Sequence, residues 1–142
     1  MDKRPMPTDY AGVRFRSKSE AVLARMLDIV RERMKKTHIA WAYEPEIVKT
    51  DFAVFITIPD ENRVQMIAIE YKPSRPSDAY IERWRELMAP YEKNGWLPVI
   101  WYGNGWTKEY RQIHMDGRER DHWSGYEHWM PEAMRHRFDL AA

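Results

Sequence analysis

Four ionisable residues in the first half of the chain have types and spacings suited to chemistry: Glu20, Asp51, Glu70 and Lys72. Glu70 and Lys72 stand two apart at the end of a β-rich run, so in a strand both side chains leave the same face. Ala68 and Met66 share that face, while Ile67, Ile69 and Tyr71 take the other. A carboxylate and an ammonium therefore emerge together at the end of an otherwise apolar strand. Asp51 opens the preceding β-rich run, DFAVFITI over 51–58, and PDEN at 59–62 supplies turn chemistry between the two. Strands joined this tightly form an antiparallel hairpin, in which the start of one lies beside the end of the next. Asp51 can thus reach Glu70. Two converging carboxylates suit a hard divalent cation such as Mg²⁺, which takes oxygen ligands and keeps several waters. A neighbouring lysine can orient or activate an attacking water, or offset charge developing on a phosphate.

The elements that must position these groups are legible from periodicity. Ser17 followed by Glu20 is a capping-box pattern, which starts a helix near Ser17. Val22, Leu23, Met26, Leu27, Val30 and Met34 follow at helical spacing, and the segment ends basic at Arg33, Lys35 and Lys36. Ile39, Trp41 and Tyr43 alternate as in a half-buried strand that Pro45 ends. Strands are expected over 51–58 and 64–71. A second helix is expected from about Asp78, with Pro90 kinking or shortening it and Gly95 as its stop. WLPVIWY at 96–102 reads as a buried strand, Gly103-Asn104-Gly105 as a turn, and Trp106 to about Ile113 as a further short strand. Pro131 suits the first position of a short final helix. The order is αβββαβ: an α/β domain spanning 1–142, with an irregular arm over 1–12, a core over 12–102 and a β/helical extension over 103–142.

Composition restricts the chemistry further. The chain has 142 residues and no cysteine, which excludes disulfides, thiolate zinc sites and cysteine nucleophiles. It fits a reducing cytoplasm. No apolar run is long enough to span a membrane, and the polar start MDKRPMPTDY shows no signal peptide. Lys and Arg number 23 against 22 Asp and Glu, so the total charge gives no invitation to nucleic acid. Over 12–25, however, four basic residues accompany one acid, Glu20. Arg14, Arg16 and Lys18, beside Ser17, form the best local phosphate patch; Arg75, Arg83 and Arg85 are further candidates.

At this point the sequence resembles a family. Asp51…Glu70-Tyr71-Lys72 looks like the signature of the PD-(D/E)XK nucleases, with their restriction-endonuclease-like fold, a mixed central sheet flanked by helices. Gly12-Val13-Arg14-Phe15-Arg16-Ser17-Lys18-Ser19-Glu20 looks like the G-x-x-F-R-S-x-x-E motif of phage Holliday-junction resolvases and of the nuclease subunit of some transposons. Trp41-x-Tyr43-Glu44-Pro45 matches the element that often follows. The resemblance covers roughly 12–102. It implies that Asp51, Glu70 and the Tyr71 backbone carbonyl hold Mg²⁺ (or Mn²⁺), that Lys72 activates or positions the attacking water, and that Glu20 completes the acidic cluster or serves a second metal. It implies hydrolysis of a DNA phosphodiester, with a homodimer where two cuts are needed. Thr50 departs from the pattern, which has proline there, and the 18-residue spacer between Asp51 and Glu70 is long.

Plainer readings stand beside these. Glu20 can be the capping-box acceptor alone, and Glu70 with Lys72 an ordinary ion pair. Trp96, Trp101, Trp106, Trp123 and Trp129, with Tyr102, Tyr110 and Tyr126, read first as core, and second as a platform for unpaired bases. His114, His122 and His128 lack any ligand spacing. Gly125–Pro131 is weakly similar to the resolvase tail. The expected activity is a divalent-metal-dependent endonuclease of branched or structured DNA, derived from a phage or mobile element. Its rivals are a transposon-end or site-specific restriction-type nuclease and a non-catalytic DNA-binding or protein-interaction module.

Overall fold

The computed structural model describes residues 6–33, 38–58, 62–104 and 109–121. A hairpin of β1 (Thr8–Tyr10) and β2 (Val13–Phe15) leads into α1 (Lys18–Arg33). Then come β3 (His38–Tyr43), β4 (Phe52–Ile58), β5 (Arg63–Lys72), α2 (Asp78–Lys93), β6 (Trp96–Asn104), β7 (Glu109–His114) and β8 (Glu119–Asp121). The last six strands form one sheet in the order β3-β4-β5-β6-β7-β8. Only β5 and β6, joined through α2, run parallel; the other pairs are antiparallel. The fold is mixed α/β with a mixed sheet, as the sequence implied.

The sheet carries a helix on each face. Phe52, Val54 and Ile56 of β4 and Ile67, Ile69 and Tyr71 of β5 pack with Leu23, Ala24 and Leu27 of α1. Ala53, Ala68 and Ile100 turn the other way and pack with Ile81, Trp84 and Met88 of α2. β5 and β6 are therefore central strands with both faces covered, which explains their near-continuous apolar sequences. Each large side chain buried this way contributes about 1.5–3 kcal/mol.

Several local expectations are corrected. The arm expected to be irregular through residue 12 is ordered from Thr8, because Ala11 and Gly12 both take positive φ (53° and 78°) and close a two-residue turn. Alanine in that turn is the reason the sequence hid it. Pro90 neither ends nor shortens α2, which continues to Lys93. Pro90 is exposed and sits in the last turn, so water can satisfy the carbonyl that its missing N–H leaves free. Gly103 and Asn104 extend β6 and pair with Tyr110 and Glu109 of β7 instead of turning. Ser77 caps α2 by accepting from the Tyr80 N–H at 3.1 Å, and Gly95 follows its end at φ 93°. Trp106, Trp123, Trp129, Tyr126, His122, His128, the Gly125–Pro131 segment and the helix expected at Pro131 lie outside the described residues.

Candidate active site

The site grows from the junction of β2 and α1. Phe15 is fully buried, with its ring centroid 4.5 Å from that of Tyr43 and 6.0 Å from that of Phe52. That anchor fixes the next two residues. Ser17 caps α1: its Oγ accepts from the Glu20 N–H at 3.2 Å and donates to Glu20 Oε1 at 3.1 Å. Arg16 points to the ends of β3 and β4, where its backbone N–H and Nε–H donate to the Tyr43 hydroxyl at 3.2 and 3.1 Å.

Asp51 immediately precedes β4. The β4–β5 register pairs Phe52 with Ile69, and one further step along it sets Asp51 across from Glu70, as the hairpin argument required. Asp51 Oδ2 accepts from the Tyr71 backbone N–H at 2.8 Å, and its Oδ1 accepts from Arg16 Nη2 at 2.5 Å. The N–H and C=O of one strand residue leave on the same side. The Tyr71 carbonyl therefore faces the Asp51 side of β5. Lys72 Nζ stands 3.8 Å from Glu70 Oε1 and 4.8 Å from the centre of the Tyr80 ring.

Glu20 arrives from the opposite face of the sheet. Its Oε2 accepts from the Tyr43 hydroxyl at 3.1 Å and from Arg16 Nη2 at 3.4 Å. Asp51 is thus shared between two groups: Glu20 and Arg16 on the α1 side, Glu70 and Lys72 on the α2 side. Among the described residues no three His, Cys, Asp or Glu side chains come together as a set able to hold a metal ion. The Glu20 oxygens are engaged by Ser17, Tyr43 and Arg16.

The electrostatics of the two sides differ in cause. Burial pushes the Glu70 carboxyl up to about 8, helped by the Asp51 charge and by a hydrogen bond between the two carboxyl groups. Burial also raises Glu20, with Asp51 second; Ser17, Arg16 and Tyr43 work against the shift. Burial acts to lower the Lys72 ammonium, but Tyr80 and Glu70 outweigh it, and its pKa stands above the ordinary lysine value. Lys72 is therefore a cation at neutral pH. Four carboxylates, Glu20, Glu44, Asp51 and Glu70, meet two cations, Arg16 and Lys72, an excess of two negative charges when all are ionised. The donors fit Mg²⁺ in kind: two oxygen-donor carboxylates side by side are what that ion commonly takes from protein.

The remaining candidates are placed as follows. Arg14 pairs with Asp9 at 3.2 Å on the exposed hairpin, and Lys18 opens α1. Arg75 lies between Glu119 of β8 (3.0 Å) and Asp78 of α2 (2.9 Å). Arg85 Nε donates to the Met115 carbonyl at 2.8 Å, and Arg83 is exposed on α2. Trp96 and Trp101 are core residues, the first edge-on to Phe55 at 5.7 Å. His114 contacts Gln112 Oε1 at 2.9 Å. Thr50 donates its backbone N–H to the Val48 carbonyl at 3.0 Å, a bond that proline cannot make.

Sequence reasoning gave no role to Tyr43, Glu44 or Tyr80. The signal for the first two was present, since a tyrosine and a glutamate end a strand in Trp41-x-Tyr43-Glu44-Pro45. No model of a protein family matches the chain, and neither curated proteins nor solved structures give a match.

Proposed function

We propose that this chain is a divalent-metal-dependent DNA endonuclease with a restriction-endonuclease-like core, acting on branched or structured DNA. The observation that carries the reading is the Asp51–Glu70 pair at the end of a central strand, with Lys72 beside it and negative charge in excess. Buried like charges at a strand end are costly, and a site that tolerates them is a functional candidate. Asp51 and Glu70 would hold Mg²⁺, with the Tyr71 carbonyl on the same side. When bound, the ion would polarise the phosphate and acidify water.

The chain's own residues supply the rest. The Tyr71 N–H fixes one Asp51 oxygen and so orients the carboxylate toward Glu70. Lys72, held protonated, is suited to donate to a phosphate oxygen or to orient the attacking water, and not to take a proton in this state. α2 covers the face of β5 that presents Glu70, and the burial behind the raised Glu70 pKa strengthens each charge interaction there. Glu20 positions Arg16 and Tyr43.

The test is a panel of linear, single-stranded, flapped and four-way-junction DNA, incubated with wild type and Lys72→Ala, each with Mg²⁺ and with EDTA. Mg²⁺-dependent cleavage of branched DNA, lost in Lys72→Ala, is the expected outcome. Cleavage of one fixed DNA end or short site, with junctions untouched, would move the assignment to a transposon-end or restriction-type nuclease. Binding across the panel without cleavage would leave a DNA-binding module.

A further inference from the structure

Arg16 has two unusual properties together. Its side chain is 63% exposed, yet one nitrogen, Nη2, bridges two nearly buried carboxylates, Asp51 at 2.5 Å and Glu20 at 3.4 Å. Its Nε is held separately, by the Tyr43 hydroxyl at 3.1 Å and Glu44 Oε1 at 3.1 Å. Asp51 has both oxygens partnered, but by different kinds of group. Oδ2 is held by a backbone N–H in the core of the sheet, which cannot leave without breaking the fold. Oδ1 is held by the tip of an exposed side chain, which can.

From this we infer that Arg16 is an internal counter-cation for the acidic cluster: it holds Asp51 in the ion-free protein and yields Oδ1 to a divalent ion. This role rests on the metal-site reading proposed above. The two-point attachment makes the exchange local. Nη2 leaves Asp51 while Nε stays on Tyr43 and Glu44, so the guanidinium remains at the rim of the site with its outer donors turned free. A guanidinium so released matches the geometry of a phosphate oxygen pair. Arg16 would then couple the two ligands of the site. Binding of the ion frees a phosphate contact, and binding of DNA, by occupying the guanidinium, removes the competitor for the ion. Coupling of this kind is reciprocal.

The test is calorimetric titration of the full chain with Mn²⁺ alone, for wild type, Arg16→Ala and Arg16→Gln, with circular dichroism to establish folding. Removing a competing positive charge within contact distance should tighten Mn²⁺ binding roughly ten- to a hundredfold in both variants. Arg16→Lys, which keeps the charge, should stay within a few-fold of wild type. In the presence of Ca²⁺ the two neutral variants should bind four-way-junction DNA more weakly than wild type. A wild-type readout needs no variant: the Arg16 Nε–H and guanidinium NMR resonances should shift on addition of Mg²⁺. Mn²⁺ binding that is equal or weaker in the neutral variants, or Arg16 resonances that stay still while Mg²⁺ binds, would overturn the inference and leave the nuclease reading standing. Mn²⁺ binding to the neutral variants alone would support it in its strongest form. No binding by any of the folded proteins would overturn both.

Discussion

Arg16 and Arg75 are built alike. Each guanidinium reaches carboxylates from different parts of the chain: Asp51, Glu20 and Glu44 in one case, Glu119 and Asp78 in the other. Each cluster also includes a tyrosine hydroxyl donating to a carboxylate, Tyr43 to Glu20 and Tyr102 to Glu119. Their charge states nevertheless diverge. The bidentate contact with Arg75 holds Glu119 below the ordinary glutamate range, against a smaller opposing effect of burial. Arg16 cannot do the same for Glu20, which stands above that range because burial and Asp51 outweigh it. Around Arg75 the charges balance, with Arg111 adding to the cationic side. Around Arg16 they do not. The Arg75 cluster ties the loop before α2 to the edge of the sheet, whereas the Arg16 cluster is short of positive charge, which a bound cation would supply on the function proposed above.

The largest expected effects test the incomplete cluster. Asp51→Asn should abolish DNA cleavage, because it removes both the proposed metal ligand and a charge that raises the Glu70 pKa. Lys72→Ala should lower the cleavage rate by about 10²–10³, the usual cost of one electrostatic stabiliser. Single-turnover cleavage assays check both, with circular dichroism to show that the fold survives. If Lys72→Ala kept full activity, the reading of the site would fail.

A second effect follows from Glu70. The folded chain keeps its proton up to about pH 8, whereas an ordinary glutamate loses it near 4.5. The stability that this group contributes is fully present below about pH 4.5 and is lost as pH rises through about 8. The slope in that window is at most about 1.4 kcal/mol per pH unit. Glu70→Gln should flatten it, and without divalent ions the variant should be more stable than wild type at pH 8–9. Mg²⁺ should raise the wild-type melting temperature most at that pH, because binding requires the ionised form. Thermal unfolding across pH, with and without Mg²⁺, measures both. The smallest effect belongs to the balanced cluster. Arg75→Ala should lower the melting temperature slightly and leave Mn²⁺ affinity unchanged; a large change in Mn²⁺ affinity would erase the distinction between the two arginines.

Much of this was legible in the sequence, for definable reasons. Side-chain alternation in β4 and β5 and the short turn between them were enough to set Asp51 beside Glu70. The Ser17–Glu20 spacing was enough to start α1. Which helix covers which face of the sheet was not legible. Sequence order does not reveal that α1, which carries Glu20, and α2 cover opposite faces, with Asp51 between them at the strand end. The partners of Arg16 and Arg75 were hidden for a related reason. A basic residue near a motif reads as an open phosphate donor until the elements that bring carboxylates to it, β3 and β4 for one and β8 for the other, are in place. The hairpin turn at Ala11 escaped because alanine rarely takes positive φ.

The most direct measurement is the single-turnover cleavage of a four-way junction at pH 8 as a function of Mg²⁺, for wild type beside Glu70→Gln. Wild type should show no cleavage in EDTA and a rate that rises with Mg²⁺ to saturation, while Glu70→Gln, folded and at least as stable, should show none. Cleavage by wild type that is indifferent to Mg²⁺, or a Glu70→Gln rate equal to that of wild type, would contradict the assignment of Asp51, Glu70 and Lys72 as a metal-dependent nuclease site.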